Sequence, residues 1–340
     1  MKASTKNSQV DFLNKIKDRL PESQSIVTLM QEALKISMDG AYRRLRGQST
    51  LTFEEANQLA IRFGVSMDSK HVSDERRVNF DAGMAIKTLA DYKAFSKRIV
   101  GRMMNFSESD LQARMTYVCS DAPIFYTFKH QHLARMKAFY WAKVFLNLEV
   151  FKDLNYVDYQ IEPDKVAMNQ QIWNAYASIP SVEIWSPTCY LGTLKQIFHM
   201  WESNLLTDLE DAKAILVDMD EMIDCVARQA AAGRKLLANG VDLAARFDLY
   251  IIDVAVGNNV VLVDQSDSNA CFIGFNTFNF METSNNSFCS QTAQWIESLK
   301  HFAVHANEDS ADKVDVYSNR LHQQVDSVRQ AILHGHALTF

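Results

Sequence analysis

Three guanidinium groups stand close together at Arg43, Arg44 and Arg46. Each is permanently charged and presents a flat fork of donors, which matches either a phosphate or the N7/O6 edge of a guanine. Ser37, Met38, Asp39 and Tyr42 precede them within two helical turns. In that company Arg43 suits a guanine, Asp39 the amino group of a cytosine and Met38 the methyl of a thymine, with Tyr42 one turn on from Met38. Arg44, Arg46, Lys35, Ser37, Ser49 and Thr50 suit phosphate oxygens, contacts that fix position and supply most of the affinity for a nucleic acid. A solvated basic face is the plainer account of the same arginines. Asp39 likewise reads as a complement to a helix dipole, and Met38 as a core residue.

Other groupings that could do chemistry are weaker. His130-Gln131-His132 and His334-Gly335-His336 lack the spacing of a metal motif, so surface histidines are expected and no metal. The acidic run Asp208, Glu210, Asp211, Asp218, Asp220, Glu221 and Asp224 reads as a solvated helix face. Neither a nucleophile elbow nor a phosphate-cradling glycine loop occurs, so no enzyme and no cofactor are expected. The five cysteines are scattered and never form Cys-x-x-Cys, which fits buried free thiols in a reducing compartment. Trp141, Trp173, Trp185 and Trp201, with Phe139, Tyr140, Tyr176 and Phe198, read either as lining of an apolar pocket or as ordinary core.

The arginine cluster must be held by residues 26–66. Ile26, Leu29, Met30, Ala33 and Leu34 recur at helical spacing, Lys35-Ile36-Ser37 breaks the run, and a second helix over about 38–46 carries Met38, Ala41 and Leu45. Ser37 is placed to cap that helix, and Gly47 to end it. Thr52-Phe53-Glu54-Glu55 is a capping box opening a further helix with Phe53, Ala56, Leu59, Ala60 and Phe63 inward, closed by Gly64. Upstream, Leu13, Ile16 and Leu20 form an amphipathic helix ended by Pro21. Two helices around a three-residue break outline a helix-turn-helix.

Leu34-Lys35-Ile36-Ser37, Arg46-Gly47 and Ala60-Ile61-Arg62-Phe63-Gly64-Val65-Ser66 together resemble the phage-repressor (Cro-like) helix-turn-helix family. Two positions depart from the family's pattern. Gln31 stands where a small residue is usual, and Lys35 where the turn usually has glycine, so a lysine must take up the left-handed conformation. The resemblance implies that the second helix enters the major groove of DNA, with Ser37, Met38, Asp39, Tyr42, Arg43, Arg44 and Arg46 as contact residues.

At 340 residues the chain has room for roughly two or three domains. Residues 1–70 carry 11 Lys+Arg against 8 Asp+Glu and the rest 24 against 33, so a basic head meeting a polyanion joins an acidic body. A polar N-terminus and the lack of a long apolar run predict neither signal peptide nor membrane span, hence a cytoplasmic protein. Residues 71–79 are polar and read as a linker. Helical spacing dominates 80–240, in segments 85–104, 108–118, 130–151, 164–178, 190–206 and 208–238. From Leu249 the period changes: 249–256 and 260–263 flank Gly257-Asn258-Asn259 as a hairpin, and 270–275 follows as a third strand. The expected fold is mainly α: a helix-turn-helix domain over 1–70, a large helical middle region, and over 241–340 a small antiparallel sheet with helices.

Phe139-Tyr140-Trp141, Ile179 to Trp185, and Phe288-Cys289 with Trp295 are similar to stretches behind such heads in a group of bacterial one-component regulators. The similarity implies architecture and assigns no ligand or activity. A sequence-specific transcriptional regulator follows as the expectation. It binds double-stranded DNA as a homodimer, because one recognition helix reads too few bases, and its body senses a small molecule or a partner protein. A protein-interaction module with a degenerate head is the alternative, and an enzyme with a targeting head is a third.

Overall fold

The computed structural model describes residues 8–17, 20, 25–63, 65, 67, 78–83, 85–108, 113–237, 243–266, 268–276, 279–307, 310–336 and 338. Most of the expected linker, with Pro21, Gly64 and Ser66, lies outside them. The chain forms two units, Met1–Arg77 and Val78–Phe340.

The head contains α1 (Ser8–Lys17), α2 (Ile26–Leu34), α3 (Met38–Leu45) and α4 (Phe53–Phe63). Phe12, Leu13, Ile16, Ile26, Val27, Met30, Ala33, Ala41, Leu59 and Val65 form its core. The expected apolar stripes largely coincide with this set, but Met38 of α3 and Phe53 of α4 are exposed.

The body begins with α5 (Leu89–Glu108), then β1 (Arg114–Val118), α6 (Ile124–Lys129), α7 (Gln131–Tyr140), α8 (Pro163–Ser178), β2 (Ser181–Trp185), α9 (Leu191–Glu202) and α10 (Leu209–Ala232). It continues with β3 (Arg234–Leu236), β4 (Leu243–Ile251), β5 (Val260–Gln265), β6 (Ser268–Phe275), β7 (Asn279–Thr283), α11 (Asn286–Phe302), β8 (Val304–Ala306) and α12 (Ala311–His334). All eight strands join one sheet, ordered β3-β4-β2-β1-β5-β6-β7, with β8 also on β4. β1, β2 and β4 run parallel to one another, whereas the β5, β6, β7 meander is antiparallel.

This corrects the expected small antiparallel sheet at the C-terminus. The sheet is large and mixed, and its two central strands come from the stretch read as helical. Residues 114–118, expected in a helix, are β1. The expected hairpin across Gly257-Asn258-Asn259 is absent: β4 pairs with β2, and β5 with β1 and β6. Instead, the Asn259 side chain accepts the Ser120 and Asp121 amides just past β1, at 2.7 and 3.0 Å. Gly274 lets β6 approach that same asparagine, since a Cβ there would stand 3.3 Å from its backbone.

Both faces of the sheet are covered, as expected for parallel strands joined by helical crossovers. Val118, Ile184, Leu262 and Cys271 face α11 through Cys289 and Ile296. Met115, Tyr117 and Trp185 face the main core, with residues of α6 to α10 and α12. β2 therefore places Glu183 inward beside Trp185, in the middle of that core.

Candidate nucleic-acid interface

The turn between α2 and α3 is built by local chemistry. Lys35 caps α2 at φ 54°, ψ 42°, the left-handed conformation that a glycine adopts without strain. Ser37 then caps α3, its hydroxyl accepting the Gly40 amide at 3.2 Å. At the other end Gly47 takes φ 71°, while Gln48 N and Gly47 N donate to Arg43 O and Arg44 O at 2.8 and 3.0 Å. Those paired bonds are a Schellman closure, which fixes where α3 stops. Replacing Lys35 with glycine is expected to relieve about 1 kcal/mol of backbone strain. Slower amide hydrogen exchange over 26–45 is the measurement that checks it.

Within α3, Met38 (56% exposed) and Tyr42 (42% exposed) lie on the outer surface, so Met38 is not a core residue. Asp39 and Arg43 are exposed beside them and only 3.9 Å apart, a solvated pair of small energetic weight. Arg46 lies with its guanidinium carbon 5.8 Å from the Tyr42 ring centroid. Lys35, Ser37 and Thr50 are exposed, and Ser49 is half-buried.

Arg44 is different. It points inward, and its Nη2 donates to Glu55 Oε1 at 2.8 Å with both side chains largely covered. Glu55 Oε2 accepts the Thr52 amide at 2.9 Å while the Thr52 hydroxyl accepts the Glu55 amide at 3.1 Å. One carboxylate thus closes the capping box of α4 and anchors α3 to it. Arg44 is a strut, its guanidinium already paired within the head.

Gln9 was not among the expected residues, yet it ties α1 to the end of α3. Its amide nitrogen donates to Arg44 O and Ser49 O, each at 2.8 Å, and its oxygen accepts Leu51 N at 2.7 Å. Gln9 shares a helix face with Leu13 and Ile16, four and seven residues on, and that spacing was the available signal. Gln58 likewise satisfies Ala33 O, near the end of α2, at 2.7 Å.

In the body, Asp208, Glu210, Glu221 and Asp224 of the acidic run are exposed as expected, but much of the run also has partners. Asp208 caps α10, Asp211 pairs with Arg135 at 2.9 Å, and Asp220 and Asp224 flank His322 at 2.7 and 3.1 Å. Asp218 is buried and accepts Leu133 N at 2.8 Å, near the start of α7. His132, His334 and His336 are exposed as expected, but His130 is buried. All five cysteines are free and buried.

Among the aromatics proposed for a pocket, Trp173, Trp185, Phe139 and Tyr176 are fully buried in the main core. Phe139 packs on Phe151, Tyr156 and Tyr159, whereas Trp173, Trp185 and Tyr176 gather with Tyr126 around a polar knot. Glu183 accepts Trp185 Nε1 at 2.7 Å, the Tyr126 hydroxyl at 3.3 Å and the Tyr176 hydroxyl. Lys235 donates to Tyr176 O and Ile179 O at 2.7 and 3.0 Å, serving the last carbonyls of α8. Burial pushes the Glu183 carboxyl up to about 7 and the Lys235 ammonium down to about 7, each restrained by the other's charge. An enclosed cavity of about 10 Å³ between α10 and α12, lined by Tyr190, Ile223 and Tyr317 among others, has room for about one water. A larger space of about 310 Å³ beside Lys97, Asp164 and Gln171 is an open groove.

No helix among the described residues is long and apolar enough to cross a membrane. In comparisons with known proteins, no family model, no curated protein and no solved structure matches the chain.

Proposed function

We propose that the chain is a sequence-specific DNA-binding transcriptional regulator of the one-component type, acting as a homodimer in the cytoplasm, with a body that senses a small molecule or a partner protein. The observation that supports it is the two-sided construction of α3. Met38, Asp39, Tyr42, Arg43 and Arg46 face outward, while Arg44, Glu55 and Gln9 brace the helix from behind. A helix presented in this way is what major-groove reading requires. Met38, Asp39, Tyr42 and Arg43 are the base-contact candidates, with Lys35, Ser37, Arg46 and Thr50 left for phosphates.

A second reading has one observation in its favour. Phe53 and Ile61 on α4 are 72% and 75% exposed, large apolar side chains that suit contact with a protein, whether a second head or another partner. Fluorescence anisotropy against the gene's own upstream DNA at several salt concentrations separates the two. The regulator reading expects saturable binding with a clear preference over scrambled duplex and a steep log–log salt slope, about −0.9 per phosphate contact. Absence of binding at low salt would leave the interaction module as the better account.

A further inference from the structure

We propose that the body binds one divalent transition-metal ion between His130, Asp218 and Glu221. The starting observation is an unsatisfied imidazole. His130 is only 5% exposed, its Nε2 has no hydrogen-bond partner, and its Nδ1 stands 3.6 Å from Glu221 Oε2, too far for a hydrogen bond. Leaving Nε2 of a buried ring unpartnered is costly, since buried polar groups are normally satisfied. It is Nδ1 that faces the carboxylates, and an ion held between it and them would give the ring the bond on that side which the 3.6 Å contact does not.

The geometry is close to what such an ion needs. One ligand atom from each of the three residues lies within 4.8 Å of the others. Bonds of about 2.0–2.2 Å set neighbouring ligand atoms roughly 3–4 Å apart, so a small contraction completes the site. Glu221 can provide it, since its side chain is 64% exposed. The other two ligands are held in place. Asp218 receives the Leu133 amide at 2.8 Å, and His130 is the capping residue of the same helix, α7.

Asp218 and Glu221 lie one turn apart on α10 and therefore share a face. The nearest lysine in sequence does not fill the position: Lys129 Nζ is directed to Cys225 Sγ at 3.1 Å and to the Trp173 ring. One imidazole with two carboxylates favours Zn²⁺ or Mn²⁺ over the oxygen-seeking Mg²⁺ and Ca²⁺, and leaves positions for water. The site lies wholly in the body and stands whether or not the head binds DNA.

Isothermal titration of the full-length, chelator-treated chain with ZnCl₂ and with MnCl₂ tests the site, with MgCl₂ as the control. The expected result is one ion per chain, with His130→Ala weakening binding at least about tenfold and Glu221→Gln weakening it by a similar factor. Glu221 is exposed, so its variant keeps the fold and the test survives if His130→Ala does not. His322→Ala should leave the titration unchanged, because its two nitrogens face different carboxylates. Failure of both transition metals to bind would overturn the proposal. So would binding that survives Glu221→Gln undiminished or is lost in His322→Ala.

Discussion

Replacing Glu183 with leucine is expected to lower the unfolding free energy of the body by about 3–5 kcal/mol, while glutamine at the same position is tolerated. Leucine strands the Trp185, Tyr126 and Tyr176 donors that now converge on the carboxylate, and it removes the negative charge that offsets the burial of Lys235. Glutamine keeps an acceptor and imitates the protonated acid. The two variants should also separate by pH. Glu183 is raised by burial from 4.5 to about 7, so its contribution is fully present below about 4.5 and is lost as pH rises through 7. Lys235 is lowered by burial from 10.5 to about 7, so its cost is greatest below 7 and fades as pH rises toward 10.5.

The glutamine variant lacks the first of these titrations. Its stability relative to the natural chain should therefore increase from pH 5 to pH 8, with carboxylates elsewhere cancelling in the difference. Urea unfolding followed by tryptophan fluorescence reads this directly, because every tryptophan lies in the body and one of them, Trp185, donates to Glu183. A leucine variant as stable as the parent, or a glutamine difference that does not move with pH, would show that the knot carries no such load.

What was legible in the sequence was what the chain decides within a few residues. Ser37 with Gly40, Thr52 with Glu55, and Gly47 at the end of α3 each act over three or four positions. Composition alone points to them. The strut from Arg44 to Glu55 and the bonds from Gln9 to residues 44–51 span between eleven and 42 positions. No local pattern records them, so Arg44 read like its exposed neighbours.

The body failed to declare its sheet for a related reason. β1 (RMTYV) and β2 (SVEIW) are only five residues long and covered on both faces, so the polar Thr116, Ser181 and Glu183 are buried and mark no solvent face. Glu183 in the middle of β2 disguises it further, because a glutamate suggests solvent. The false hairpin arose where Asn259 answers β1 rather than turning β4 back on itself. His130 shows the same limit at the candidate metal site. Its spacing with His132 carries no signal, because its neighbours in the cluster lie some ninety residues away on α10.

The head offers the sharper test, since residues only one or two positions apart on α3 are assigned opposite duties. Arg43→Ala is expected to cost about 1–3 kcal/mol of binding, roughly 5- to 150-fold, and to relax sequence preference at one base pair of the operator. Arg46→Ala should weaken binding to all sequences alike and reduce the magnitude of the salt slope by about 0.9. Arg44→Ala should do neither directly. It leaves Glu55 without the guanidinium that joins α3 to α4, so protection of those helices against hydrogen exchange falls, while the salt slope of the DNA bound by folded chains is unchanged. Anisotropy titrations at four salt concentrations, paired with exchange measurements on the same three variants, distinguish these outcomes. If Arg44→Ala flattened the slope while Arg46→Ala left it intact, the inner and outer faces of α3 would have been assigned the wrong way round. If none of the three altered DNA binding, α3 would not be the reading element.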